Sequence, residues 1–291
     1  MRVSGFTFVR DAVRLSYPVV PAIRSILPLV DELVVNVGVS GDGTLDLVRA
    51  IDDPRLVIFE SEWDPALKAG GAILAQQTDL ALARCTGDVG LYVQADEAMH
   101  EDDHPRLRRM LARLHAEEAA EGLLFDYVHF YGSYHTVGTA RRWYRREIRA
   151  VKLGRGVRSW RDAQGFRVGP GEGARKLKVL PAGARMYHYG WVRPPEAQKE
   201  KIADFQRWYH GDAAVKAALE KGFTYDVDEK VRLFEGTHPG PMRELVARED
   251  WPFVPRPRRV LRPGHLRHDL LDLVERATGV RIGEYRNYEL L

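Results

Sequence analysis

Two adjacent carboxylates stand directly after Val89–Val93, an apolar segment of β-forming residues. They belong to the four-residue motif Gln94, Ala95, Asp96 and Glu97. A carboxylate in the turn that leaves a buried strand can reach a divalent cation, and Mg²⁺ or Mn²⁺ at a nucleotide site is held by one or two carboxylates and by diphosphate oxygens. The two acids could instead cap a helix that begins near Asp103, or lie in solvent. On their own, they do not separate these interpretations.

Alternating strand and helix patterns lead up to this motif. Predicted strands occupy Val3–Val9, Glu32–Val37, Leu56–Glu60 and Val89–Val93, and helical patterns lie between them at 13–27, 45–51 and 70–84. Since strands that alternate with helices form parallel sheets covered on both faces, we expect an α/β sheet of this kind. Asp96 would then stand at the carboxyl end of a strand, where ligands bind in open α/β sheets.

The chain after the motif is richer in aromatic residues and less regular. Its patterns predict a helix over 105–121, a strand at Gly122–Tyr131, a strand or short helix within 141–153, a helix over Gln198–Glu220, an extended proline-rich segment at Pro239–Pro263 and a helix over His268–Ala277. We therefore expect a sheet-containing region up to residue 195 and a helical, proline-rich extension over 196–291 packed on it.

Composition limits the classes of protein to which this chain can belong. With 291 residues, 45% of them hydrophobic, it can bury a sizeable core, and a net charge of +3 does not demand nucleic acid as a partner. The single cysteine, Cys85, cannot form an internal disulfide, which fits a reducing cytoplasm, and we expect it to be buried rather than catalytic. No uninterrupted run of about 18 apolar residues occurs. We expect a soluble, cytoplasmic protein with at most peripheral membrane contact.

The order of these features resembles that of the family 2 glycosyltransferases of GT-A fold. The matching features are a strand–helix–strand start, a loop ending in Asp42-Gly43-Thr44, a helix, Gly87-Asp88 and the strand ending in the motif Gln-Ala-Asp-Glu, over roughly residues 3 to 195. The resemblance implies a Rossmann-like GT-A domain over 1–195, with a mixed, mainly parallel sheet and helices on both faces. It also implies inverting transfer of a hexosyl group from a nucleotide-diphosphate sugar, dependent on Mn²⁺ or Mg²⁺, to a glycan, lipid-linked or protein acceptor.

The motif that holds the metal and the diphosphate in that family is altered in this chain. Gln94 replaces the first acid of the family's DxD motif, which leaves Asp96 as the direct metal ligand and Glu97 as a second or water-mediated one. The region of the family's Arg-Asn motif lacks its arginine, so Arg10 or Lys68 is expected to meet the phosphates. By the resemblance, the residues expected to contact the donor are Arg10, Asn36, Asp42, Gln77, Gln94, Ala95 and Asp96.

A late histidine returns to the metal as a third ligand in many GT-A enzymes. His188, in the aromatic segment Tyr187–Trp191, corresponds to it by order. Neutral imidazole is a good ligand for Mn²⁺, and the resemblance therefore assigns the metal to Asp96 and His188. A histidine that is hydrogen-bonded inside an aromatic core is an equally common arrangement, and both interpretations stay open.

Inverting transfer also needs a base that deprotonates the acceptor hydroxyl. Asp162 stands where the family has its acceptor-facing acid, and its neighbours Trp160 and Phe166 could stack on the face of a sugar. Asp126 is the competing candidate, because its predicted strand leads to the same edge of the sheet. A structural role for both aspartates also stays open.

Two arginine-rich segments have alternative explanations. The run within 141–149 could bind phosphate groups or form a salt-bridged face. The basic tail (Arg256, Arg258, Arg259, Arg262 and Arg267) could touch an anionic membrane or lipid-linked acceptor, or pair with Asp269, Asp272 and Glu275.

The alternative function is a non-catalytic protein that binds a sugar nucleotide or a nucleic acid. A role in polysaccharide biosynthesis is expected from the family's usual work. The sequence leaves the donor sugar, the nucleotide base, the acceptor and the formation of a homodimer open.

Overall fold

The computed structural model describes residues 1–64, 66–67, 70–171, 173–210, 212–256, 266–278 and 281–291. In this part of the chain, the strands are β1 Val3–Val9, β2 Glu32–Gly38, β3 Leu56–Ser61, β4 Val89–Tyr92, β5 Glu97–Met99, β6 Gly122–Tyr131, β7 Ser133–Gly138, β8 Arg146–Lys152, β9 Val157–Trp160, β10 Gly165–Val168, β11 Arg175–Trp191, β12 Val231–Leu233 and β13 Tyr288–Leu290. The helices are α1 Val19–Ile26, α2 Thr44–Arg49, α3 Ala72–Leu82, α4 His104–Ala116, α5 Pro195–Arg207, α6 Asp212–Lys221, α7 Arg243–Ala247 and α8 Leu266–Thr278.

The first four strands form a parallel half-sheet in the order β3-β2-β1-β4. Successive residues of a strand face opposite sides of a sheet, and each strand here is apolar on both. On one face, Val35 and Leu91 pack in a core with Ile23 of α1. On the other face, Phe6 and Tyr92 share a second core with α3. The helices therefore cover both faces.

The second half of the sheet is mixed. β8 lies antiparallel to both β4 and β6, whereas β6 and β11 pair in parallel. β9 and β10 form an antiparallel hairpin at the edge next to β11. The short strand β5 pairs antiparallel with the end of β11, so that Glu97 lies opposite His188. This last pairing brings two segments that are far apart in the sequence to one edge of the sheet.

The predicted mixed α/β sheet, largely parallel at its centre and with helices on both faces, is confirmed. The predicted strands of the first half and the helical patterns at 45–51 and 70–84 lie within a few residues of β1–β4, α2 and α3, whereas α1 occupies only Val19–Ile26 of the pattern at 13–27. The segment within 141–153 contains a strand, β8, rather than a helix.

The extension after residue 195 differs from the expectation in its details. The helix predicted over 198–220 is instead two helices, α5 and α6. The proline-rich segment is not uniformly extended, because Gly240–Met242 is a 3₁₀ helix and α7 follows it; residues 257–263 lie outside the described part. The extension also adds strands to the sheet, since β12 pairs with β7 and β13 with β11. A domain boundary at residue 195 remains a prediction.

Among the described helices, none combines the length and apolarity needed to cross a bilayer.

Candidate functional site

Asp96 and His188 meet at the carboxyl end of β4. The pairing of β5 with β11 sets their positions, and the backbone N–H of Tyr189 donates to the Asp96 carbonyl oxygen over 2.7 Å. The His188 Nε2 atom lies 4.0 Å from Asp96 Oδ1. A Cβ atom at Gly190 would lie only 2.6 Å from the His188 ring, so this close approach of backbone and imidazole requires glycine. The structure thus brings together the two residues expected to hold a metal.

A lysine from α5 also reaches Asp96. The ammonium group of Lys201 donates to Asp96 Oδ2 and to the carbonyl oxygen of Gly190, each over 2.9 Å. The Arg193 guanidinium, which is almost fully buried, lies 3.8 Å from the same carboxylate oxygen. Neither basic residue was among the candidates from the sequence.

These neighbours determine the charge states at the site. Burial pushes the pKa of Asp96 upward, but Lys201, His188 and Arg193 outweigh it and hold that pKa far below its usual range. Burial lowers the pKa of Lys201 to about 8, with Arg193 acting in the same direction, and burial lowers that of His188 to about 4. At neutral pH the site therefore contains one carboxylate, two cations and a neutral imidazole.

Glu97 points away from Asp96 and forms a buried ion pair. Its two carboxylate oxygens accept hydrogen bonds from Nη2 and Nε of Arg149 at 2.9 and 3.0 Å, and both side chains are 0% exposed. The hydroxyl group of Tyr127 donates a further hydrogen bond over 2.7 Å. With its oxygens used in this way, Glu97 is not available as the second metal ligand that the resemblance implied.

The turn at 161–164, which carries the predicted base Asp162, is tied to the same motif. Gln94 Nε2 donates to the Ala163 carbonyl oxygen over 3.0 Å, and Arg149 Nη1 donates to that of Gln164 over 2.7 Å. Arg161 and Ala163 have φ angles of 57° and 61°, in the left-handed region that side chains other than glycine seldom adopt. These contacts hold the turn beside the strand end that leads to Asp96.

The Asp162 side chain is partly exposed and accepts a hydrogen bond from Tyr209. The hydroxyl–carboxylate distance is 3.2 Å. Tyr209 follows α5, which also supplies Lys201. Trp208 lies between them in the sequence, and its ring centre is 5.2 Å from that of Trp63, the residue beside Arg10. Residues 201–209 thus contact Asp96, Asp162 and Trp63, which lie far apart in the sequence.

Three of the residues expected to contact the donor, Asn36, Gln77 and Asp42, have hydrogen-bond partners within the protein. Asn36 and Gln77 are fully buried and hydrogen-bonded to each other, with Asn36 Nδ2 2.8 Å from Gln77 Oε1, and Ser61 completes the cluster. The Asp42 carboxylate accepts hydrogen bonds from the backbone N–H groups of Val13, Arg14 and Thr44. Burial raises its pKa, but the hydrogen bonds from Arg14, Thr44 and Ser40 outweigh this effect and lower the pKa to about 2. Ala95 is buried.

Arg10 keeps a partly exposed guanidinium at the ends of β1 and β2. It lies 5.4 Å from the ring centre of Trp63 and 5.6 Å from that of Trp208, and its Nε donates to the Val39 carbonyl oxygen. These cation–π contacts leave the side chain 25% exposed, with the Asp11 carboxylate 3.7 Å from its Nε. Arg10 therefore remains a candidate for phosphate contact, while Lys68 lies outside the described residues.

The arginine run pairs mainly with acids. Arg141 bonds Glu275 over 2.7 Å, and Arg142 and Arg145 pair with Glu229 and Glu284. These contacts confirm a salt-bridged face. In the basic tail, Arg256 lies 3.6 Å from Asp228, whereas the other four arginine side chains lie outside the described residues.

A cavity of about 810 Å³ lies beside this face, lined by the arginine run, Gln164 and Glu147. The Glu147 carboxyl is 5% exposed, and its Oε2 atom has no hydrogen-bond partner among the described residues. Burial raises the pKa of this carboxyl to about 8, and the nearby Asp162 carboxylate adds to the effect. Glu147 is therefore mostly protonated at neutral pH.

Glu147→Gln is expected to raise the melting temperature at about pH 9 and to leave it nearly unchanged near pH 4.5. The folded state holds the Glu147 proton more tightly than the unfolded chain does. The stabilisation that this bound proton gives the folded state is therefore complete below the ordinary glutamate pKa of 4.5, and it is lost as the pH rises through about 8. Glutamine stays uncharged and keeps the shape. Thermal unfolding of both proteins across this pH range tests the expectation, and melting curves that run parallel at every pH would contradict it.

The side chains around Asp96 do not suit a divalent cation. Asp96 and His188 supply two ligands, and among the described residues no group of three or more His, Cys, Asp or Glu side chains could hold a metal. Mg²⁺ and Mn²⁺ favour several oxygen ligands, and the two cationic side chains next to the Asp96 carboxylate would repel them.

No family model and no curated protein sequence matches this chain. S. aureus TarS in complex with UDP is 18% identical, with a TM-score of 0.36 over 45% of this chain and 37% of that chain. The mannosyltransferase PcManGT from Pyrobaculum calidifontis, in complex with GDP-Man and Mn²⁺, is 15% identical, with a TM-score of 0.38 over 84% and 68%. Glucosyl-3-phosphoglycerate synthase from Mycobacterium tuberculosis is 21% identical, with a TM-score of 0.28 over 45% and 43%. Likenesses this distant leave the activity to be argued from the residues of this chain.

Proposed function

We propose that this chain is a glycosyltransferase that moves a hexosyl group from a nucleotide-diphosphate sugar to a glycan, lipid-linked or protein acceptor. The observation that carries the proposal is the joint placement of Asp96, two cationic side chains and the Asp162 turn at the carboxyl end of β4. Ligands of open α/β sheets bind at this edge. A diphosphate has the charge to match Lys201 and Arg193, and a carboxylate nearby could serve as base.

The proposed chemistry is a single displacement. As the acceptor oxygen attacks the anomeric carbon, Asp162 takes the hydroxyl proton and the bond from that carbon to the diphosphate oxygen breaks. Negative charge builds on the leaving diphosphate, where fixed cations stabilise it most. Attack from the side opposite the leaving group inverts the anomeric centre.

The acceptor would occupy the cavity beside the 161–164 turn. This cavity is lined by Gln164, while a smaller one next to it is lined by Tyr127 and His129. The lining of the larger cavity includes the aromatic side chains of Trp143, Tyr144 and Tyr285. Aromatic rings there offer an apolar surface to the C–H face of a sugar.

The first test measures nucleotide binding by thermal shift. UDP, GDP, CDP and dTDP are each added with Mn²⁺ and, separately, with EDTA, and the matching monophosphates serve as controls. One diphosphate is expected to raise the melting temperature most, because a ligand that binds only the folded state stabilises it by mass action. The monophosphate should shift it less, since it offers less charge to the cations. If no nucleotide shifts the transition in either condition, the proposal is rejected.

A further inference from the structure

The position next to Asp96 where a metal would be expected is taken by a cationic side chain. Lys201 bridges the Asp96 carboxylate and the Gly190 carbonyl oxygen, with both contacts at 2.9 Å, and its ammonium lies 5.1 Å from the ring centre of Tyr17. The ammonium therefore has two hydrogen-bond acceptors and one aromatic ring beside it. The pairing is enforced by the fold, because Lys201 is on α5 and the side chain is only 15% exposed.

The bonding capacity of this ammonium is not exhausted. An ammonium group has three N–H donors, and two of them have acceptors in the described part of the chain. The neighbouring Arg193 is 1% exposed, and its buried Nε likewise has no partner among the described residues. Each of the two cations thus retains an N–H donor without a hydrogen-bond partner among the described residues, and together they carry one positive charge more than Asp96 neutralises. A multiply charged oxyanion supplies both the acceptors and the missing charge.

In this arrangement Asp96 binds the Lys201 ammonium rather than a metal ion. Its carboxylate holds the Lys201 ammonium on one side, and the Gly190 carbonyl oxygen accepts a hydrogen bond from it on the other. A divalent ion in contact with Asp96 would have to displace the ammonium or lie against it. Since like charges at such distances repel strongly in a buried setting, the two are alternatives.

We propose that the Lys201 ammonium, supported by Arg193, replaces the divalent cation and binds the donor diphosphate directly, with Asp96 as its positioning residue. The inference rests on the proposed function. During transfer, the negative charge that develops on the departing diphosphate is then met by side chains of this chain alone. Nucleoside diphosphate binding therefore needs no divalent metal.

The test is calorimetric titration of the full chain with the nucleoside diphosphate that gives the largest thermal shift. In EDTA, the wild type is expected to bind it with an affinity within about threefold of that in Mn²⁺. Lys201→Met should weaken binding in EDTA roughly 10–100-fold, because one charge-assisted hydrogen bond is lost. Lys199→Met is the matched control: Lys199 lies on the same helix, pairs with Glu196 at 3.4 Å, and its substitution should change affinity by about twofold or less.

A second variant separates a lost contact from a damaged fold. Lys201→Met alone lowers the net charge of the site by one and leaves Asp96 facing Arg193 at 3.8 Å. Asp96→Asn with Lys201→Met removes one charge of each sign, so the net charge is that of the wild type, while Arg193 loses the carboxylate. A cooperative melting transition shows that the double variant is folded, and it should still show the weakened binding. Wild-type affinity in the double variant would overturn the inference. So would wild-type binding that appears only with Mn²⁺, although the proposed function would stand. Absence of binding in both conditions would reject the proposed function itself.

Discussion

Arg149→Met is expected to destabilise the protein by about 3–5 kcal/mol, the usual cost of removing one partner of a buried ion pair. Both Arg149 and Glu97 are 0% exposed, and two hydrogen bonds of 2.9 and 3.0 Å join them. Burial alone would lower the pKa of Arg149, but the Glu97 carboxylate holds it well above its usual value. The substitution leaves that carboxylate in the interior with only Tyr127 and one backbone N–H as hydrogen-bond donors.

Urea unfolding followed by circular dichroism measures this loss. Glu97→Gln combined with Arg149→Met should be less destabilised than the sum of the single variants, since no lone charge remains. The control is Arg113→Met, which removes a pair of similar length, 3.0 Å, that lies on the surface of α4. Its effect should stay within about 1 kcal/mol. Should Arg149→Met behave like this control, the Glu97–Arg149 pair would not be buried in solution.

The buried Glu97–Arg149 pair also forms hydrogen bonds with segments of the candidate site. Arg149 also donates to the Gln164 carbonyl oxygen, while Glu97 accepts from the backbone N–H of Gln94. Gln94 in turn holds the turn of Asp162. One buried arginine therefore fixes the relative positions of the strand end that carries Asp96 and the turn that carries the proposed base.

The strands of the parallel half could be predicted because each is a continuous apolar run between loop residues. Glu32–Gly38 and Val89–Tyr92 are buried along their whole length, and such runs have few alternative structures. β5 and β13 have three residues each, too few for a periodic pattern. Both are strands because they pair with β11, which is seventeen residues long.

The site was harder to predict than the fold. One signal was available: neighbouring residues of an extended chain point in opposite directions, so Asp96 and Glu97 could not both face one ion. Lys201 gave no such signal. It lies 105 residues after Asp96, in a helix rich in charged residues that resembles a solvated surface. Only the packing of α5 against the strand ends turns that lysine inward.

The burial of Asn36 and Gln77 follows from a similar long-range contact. Asn36 is in the middle of an apolar strand, and its side-chain amide donates a hydrogen bond to the side-chain oxygen of Gln77 in α3, 41 residues later. A polar residue in a buried strand must find a partner, but the sequence does not say whether that partner is a ligand or a side chain. The resemblance to a nucleotide-binding family favoured the ligand, whereas the structure supplies the side chain.

Asp162→Asn is expected to slow sugar transfer roughly 10²–10⁴-fold, the usual contribution of a general base, while nucleoside diphosphate affinity changes by about threefold or less. The amide cannot take a proton from the acceptor. It can still accept the hydrogen bond from Tyr209, so the turn should keep its conformation. The measurement is the initial rate of nucleoside diphosphate release from the sugar nucleotide, with water as acceptor until the natural one is identified.

Asp126→Asn is the matched comparison, because Asp126 is the competing aspartate from the sequence. Its side chain is 63% exposed and lies 3.9 Å from Arg146, so its substitution should leave the rate close to that of the wild type. If Asp126→Asn instead lowers the rate and Asp162→Asn does not, the base is Asp126. If the wild type binds the diphosphate but releases none from any sugar nucleotide, the chain binds the donor without transferring its sugar. It is then a binding protein rather than a transferase.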